Sequence, residues 1–222
     1  MAAGGPRRQA AGMTTNLQTL PGASSGVPSR RCGDAGAYSE CLSGASEAAV
    51  LVAANHLGVA ELLLRGAIDE PATRASEAPW LMLLEIFHLT DRRGEYDALL
   101  ERYRAAFGSP APAWGFPRPI SAPGTFPLKG VLGAQREDLD ELARFAYGRK
   151  SVAIDMSEVA RIDYGFVQAL QALLANFAAA GKRVILANVG EINAVLLEAI
   201  GADRHAVLMR RHRAGGTQAL AA

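Results

Sequence analysis

Between Ser151 and Val189 the apolar positions change period three times. Val152-Ala153-Ile154 is a short continuous apolar run, and it enters the mixed stretch Asp155-Met156-Ser157-Glu158-Val159-Ala160-Arg161-Ile162-Asp163. Phe166, Leu170, Leu173, Leu174 and Phe177 then recur at three- and four-residue steps, with Gln168, Gln171 and Asn176 on the other side. A second apolar run, Arg183-Val184-Ile185-Leu186-Ala187, closes the pattern. These periods predict a strand, an acidic turn, an amphipathic helix and a second strand. Asp163 falls where its carboxylate can accept from free amides of the helix's first turn and sit at the positive end of its dipole. Gly181 marks the stop, and Lys182 and Arg183 suit the negative end. Two strands joined through a helix in this way form a parallel pair with a right-handed crossover.

The alternation continues on both sides. Phe126 to Gly133 predicts an opening strand or hairpin, and Glu137 to Tyr147 a helix with Leu139, Leu142, Ala143 and Ala146 on one face. Ile192, Val195, Leu196, Ala199 and Ile200 predict a further helix ended by Gly201, and Ala206 to Met209 an edge strand. The expected C-terminal architecture, over residues 120–212, is an α/β domain with a small mixed sheet and helices on one face. Residues 38–108 carry helix signals and little strand, with apolar clusters at Val50 to Val52, Leu62 to Leu64 and Leu81 to Leu84. That stretch predicts an all-α module of helical hairpins.

Asp155-Met156-Ser157-Glu158-Val159, then Ile162-Asp163, the amphipathic helix, Gly181-Lys182-Arg183-Val184 and Asn188-Val189 together resemble the STAS domain. That family occurs in anti-sigma factor antagonists, lipid-transport accessory subunits and anion-transporter tails. The resemblance implies regulation by association, with an anti-sigma-type kinase or the ATPase of a lipid importer as partner, and a partner-binding site at Asp163, Tyr164, Gly165 and Phe166. Here the chain departs from its kinase-regulated relatives, because Tyr164 and Gly165 stand where those carry a phosphorylatable hydroxyl. The usual switch, a phosphate added at a helix N-terminus, therefore has no acceptor in its usual place. Tyr164 can instead offer an aromatic ring with a polar tip to a protein partner, or seal the helix start against the core. Phe166 lies on the apolar stripe, which favours the core. Ser157 keeps its family position, with turn capping preferred over phosphorylation.

In the helical module, Trp80, Leu83, Phe87, Gly94, Tyr96, Leu99, Tyr103, Ala106 and Pro110 resemble a tetratricopeptide-type repeat, although Thr90-Asp91-Arg92-Arg93 lengthens the turn between its helices. Leu57, Ala60, Leu64, Ala67 and Pro71 give an earlier half-match. Two such repeats are fewer than a free-standing solenoid needs, so they are expected to lean on the neighbouring domain. Residues 109–119 form a proline-rich linker that cannot continue a helix, with Trp114 and Phe116 placed to pin it. Residues 1–37 are rich in Ala, Gly, Ser, Pro and Arg and predict a disordered tail, as does 213–222 at the other end. Met13 competes with Met1 as the start.

Composition narrows the function classes. With 23 basic against 22 acidic residues the net charge is +1, which gives no global field for nucleic acid. The run Arg210-Arg211-His212-Arg213 reads as a solvated tail. No apolar run reaches the roughly 18 residues of a membrane span, and no secretory apolar segment is visible. Cys32 and Cys41 have neither metal-ligand spacing nor a disulfide framework, so a reducing, cytoplasmic compartment is expected, in a bacterium by the Ala- and Arg-rich composition. His56, His88, His205 and His212 are scattered, and no Walker-type loop or nucleophile elbow appears. The chain therefore reads as a non-enzymatic adaptor without a cofactor, with nucleotide or lipid binding as the rival reading.

Overall fold

The computed structural model describes residues 35–71, 75–108, 112–114, 123–133 and 137–211, and for 35–43 the backbone alone. Four helices come first: α1 (Ala35–Ala53), α2 (Leu57–Asp69), α3 (Glu77–Leu89) and α4 (Arg93–Phe107). Strands and helices then alternate as β1 (Phe126–Leu132), α5 (Glu137–Ala146), β2 (Ser151–Ile162), α6 (Tyr164–Ala179), β3 (Arg183–Val189) and α7 (Glu191–Ala199). A short 3₁₀ turn, Ala202–Arg204, leads into β4 (Val207–Arg210). The tail expected over 1–37 lies outside the described residues up to 34, and α1 already begins at Ala35. Phe116, most of the linker and the 213–222 tail also lie outside them.

The sheet runs β1-β2-β3-β4, and every neighbouring pair is parallel. The mixed sheet expected from the sequence is thus corrected to a parallel one. The physical reason is the connections: each strand is followed by a helix that carries the chain back to the starting edge, so successive strands point the same way. A second correction concerns the acidic turn, because Asp155 to Ile162 continues β2 as strand. β2 pairs with β3 only from Ser151 to Asp155, whereas its pairing with β1 continues to Ile162 through two register shifts. The later half of β2 therefore leaves β3 behind, and its polar residues interrupt the apolar alternation that would have announced a strand.

Each α/β helix forms for reasons visible in its sequence. α6 buries Phe166, Val167, Leu170, Leu174 and Phe177 against the sheet, and Gly181 takes the left-handed conformation just past its end. α5 concentrates Glu137, Asp138 and Asp140 in its first turn, favourable to the helix dipole, and buries Leu139, Leu142 and Ala146. α7 is buried from Glu191 to Leu197, because α1 and α3 pack on it from outside while β2 and β4 flank it.

The helical hairpins and the sheet share one core, in which Val52, Leu64, Trp80, Leu83 and Phe87 join Ile154, Leu186 and Leu196. Thr90 to Arg92, which lengthens the α3–α4 turn, places Arg92 on Glu61 of α2 (2.6 Å), and Arg65 reaches Glu95 of α4 (2.7 Å). Both guanidinium groups also lie over the Phe87 ring, at 4.8 and 5.2 Å from its centroid. Trp114 packs edge-on against His88 and Tyr96, at 4.9 and 5.0 Å between centroids, while the Tyr96 hydroxyl donates to the Pro112 carbonyl (2.9 Å). The described piece of the linker is in this way fastened to the α3–α4 hairpin.

Candidate docking site at the start of α6

Asp163 is extended, with φ −81° and ψ 165°, and its Oδ1 accepts from the Phe166 amide at 2.7 Å. Its own amide donates to the Leu132 carbonyl at the end of β1 (2.8 Å), and its carbonyl accepts the first helical bond, from Val167. The cap is thus tied to the sheet on one side and to the helix on the other. Gly133 allows this approach: a Cβ there would stand 3.3 Å from Asp163 Oδ2, tighter than side chains ordinarily pack.

The other three residues singled out from the sequence divide into two groups. Tyr164 is 48% exposed and Gly165 is exposed beside it, so both face solvent from a fixed helix start. Phe166 is 1% exposed and sits in the core, where it can support the tip but cannot touch a partner. Gln168 is exposed on the next turn, and Val131, one residue before the carbonyl that holds Asp163, is exposed as well. The resulting rim is small, mixed in polarity and held by backbone bonds, as a recognition surface requires.

Two polar centres that the sequence reading did not select lie away from this tip. Asp155, 3% exposed, accepts from the Ser157 amide and hydroxyl (3.0 Å each) and from the Asn188 side chain (2.8 Å). The hydroxyl of Ser157 is thus a donor to Asp155. Asn188 makes its bond from a left-handed backbone (φ 58°), a conformation Asn tolerates better than most residues. Glu85, 7% exposed, reaches from α3 to the start of α7, where its two oxygens accept from the Glu191 and Ile192 amides at 2.8 and 2.9 Å. The signal for both was an acid inside an apolar stretch, since such a group is kept only when paired.

Burial pushes the Glu85 carboxyl above its ordinary value, against the pull of the Ile192 and Glu191 amides and of the charges on Arg211 and Arg210. His88 is held below its ordinary value by burial and by Arg211, with Asp91 opposing. The basic run read as a solvated tail is corrected here: Arg210 pairs with Glu191 and Glu198, and Arg211 donates to the Ser157 carbonyl (2.9 Å). Strand β4 ends on Arg210 beside α7 and Arg211 follows at once, so the two side chains meet carboxylates and carbonyls before they meet water. His212 and Arg213 lie outside the described residues. No group of His, Cys, Asp and Glu able to hold a metal occurs among the described residues. No described helix is long and apolar enough to cross a membrane.

Residues 123–211 therefore define a parallel four-stranded α/β domain with an outward-facing, carboxylate-capped helix start. Residues 122–210 match the family model described as "Mlab, STAS domain", and this part of the chain belongs to the STAS domain family. That membership gives it a general role in protein interaction or regulation. No curated protein and no solved structure matches the chain.

Proposed function

We propose that the chain is a non-enzymatic adaptor whose STAS domain docks a protein partner on the start of α6. The observation that carries this reading is the exposed Tyr164–Gly165 pair on a tip held by the Asp163 cap. An aromatic residue with a polar end, presented on rigid backbone, loses little conformational freedom on binding and supplies large contact area. Asp163 orients the tip, Tyr164 and Gly165 touch the partner, and Phe166 anchors the tip from beneath.

Tyr164 and Gly165 leave a serine kinase no substrate at the usual place, which favours constitutive docking over a phosphorylation switch. Of the two partner classes the family resemblance implies, the ATPase of a lipid importer therefore fits better than an anti-sigma-type kinase, and we place both in a bacterial cytoplasm. The test is affinity capture with the full chain and with Tyr164→Ala, each checked by thermal melting. The expected outcome is an unchanged melting temperature with loss of the principal partner. Retention of that partner by a folded Tyr164→Ala chain would remove the α6 tip from the interface.

A further inference from the structure

A cleft of about 150 Å³ opens between the end of α3, the middle of β2 and the start of α7. Glu85, His88, Ser157, Gly190, Asn193 and Arg211 line it. It stands just beyond the carboxyl ends of β3 and β4, since Gly190 follows Val189 and Arg211 follows Arg210. That is the edge at which open parallel α/β sheets bind their ligands. The α6 tip lies elsewhere, and none of its residues lines the cleft.

Three observations narrow what it would hold. Its volume, about 150 Å³, is below that of ordinary drug-sized pockets, which favours a small ligand over a nucleotide or a phospholipid. The α7 amides that would attract a phosphate are taken by the Glu85 carboxylate, while Arg211 supplies one positive charge, so the lining balances one acid against one base. Glu158 at the rim already pairs with Lys129 (3.3 Å). Finally, Asn193 is 3% exposed, and its Oδ1 finds no hydrogen-bond partner among the described residues. A buried acceptor left in this state is costly unless a donor reaches it.

We propose that this cleft binds a small zwitterion, of the class of free α-amino acids with short side chains, whose ammonium donates to Asn193 and Glu85 and whose carboxylate faces Arg211. Such a molecule matches the charge balance, supplies the missing donor and fits the space. It also bridges α3 to α7, so its binding tightens the helical hairpins onto the STAS domain.

The full ¹⁵N-labelled chain, titrated with glycine, alanine and serine, tests this. Acetate, methylammonium and inorganic phosphate at matched ionic strength serve as controls. The expected result is saturable shifts at the Gly190 amide and Asn193 side chain with the amino acids alone, and a melting temperature that rises with their concentration. Asn193→Ala weakens binding about tenfold or more, by loss of the acceptor. Ala160→Phe, at an exposed position on the cleft wall, blocks binding with the unliganded melting temperature unchanged and keeps the test valid if Asn193→Ala fails to fold. The proposal is overturned if no amino acid gives saturable shifts, if phosphate or methylammonium alone reproduces them, or if Ala160→Phe leaves them intact.

Discussion

Asp163 and Glu85 solve the same problem, the free amides at a helix start, with different consequences. Asp163 is local: it caps the helix it precedes, and its position was legible from an acid placed just before an apolar period of three and four. Replacing it with Ala should cost about 1 kcal/mol, as a lost cap does, measurable as a lower urea midpoint with an unchanged slope. Unaltered stability would show that the carboxylate does not hold the tip. Glu85 comes from α3 to cap α7, more than a hundred residues along the chain. Its raised folded pKa means that the folded state binds this proton more tightly than the unfolded chain does. The stability it contributes is therefore full below the ordinary carboxylate value, about 4.3, and is lost as pH rises through the folded value. His88, with its folded pKa lowered, acts in the opposite sense, losing stability as pH falls below its ordinary range. Comparison of the native chain with Glu85→Gln from about pH 4, just below the ordinary carboxylate value, to about pH 8, above the ordinary imidazole range, isolates the Glu85 part. The stability of the variant relative to the native chain should climb with pH, and parallel profiles would refute the assignment.

Among the elements, the contact of α3 with α7 has the least tolerance. A Cβ on Gly190 would stand 2.9 Å from Glu85 Oε1 and 3.3 Å from Oε2, so the carboxylate can reach the α7 amides only because residue 190 has no side chain. Gly190 has an ordinary backbone, with φ −63°, and the constraint is space alone. Gly190→Ala should destabilise by roughly 1–3 kcal/mol through overpacking, and Glu85→Ala by a similar amount for each buried amide left without its acceptor. The double substitution should cost less than the sum of the two by at least about 0.5 kcal/mol, since each removes the partner of the other. Additive effects in a denaturant titration would separate the two sites. The elements themselves were largely readable: the α6 stripe, the Gly181 stop and the helical character of the hairpin module follow from apolar spacing and helix-end chemistry. The extension of β2 through Asp155 to Ile162 was not, because a buried Asp satisfied by Ser157 and Asn188 looks in sequence like a polar turn.

At the scale of the molecule, the hairpins and the sheet hold each other. α1 and α3 cover α7, Glu85 caps it, and Arg161 of β2 donates to the Asn55 side chain and the Val52 carbonyl at the end of α1 (the latter 3.4 Å). Trp80 and Trp114, both in or on the helical part, should therefore report the same urea transition as far-UV circular dichroism of the whole chain. An earlier fluorescence transition would mean that the hairpins open separately. The order of strands and helices, the parallel β2–β3 pair and the Asp163 cap were set by local periodicity and local capping chemistry, which act over a few residues and can be read one segment at a time, whereas the same patterns left Tyr164 open between core and solvent. The directions of β1 and β4, the burial of Asp155 and Arg210, and the Glu85 bridge were decided only by tertiary structure. Each depends on groups distant in sequence meeting in a place with little water, where a polar atom persists only with a partner that no local pattern names.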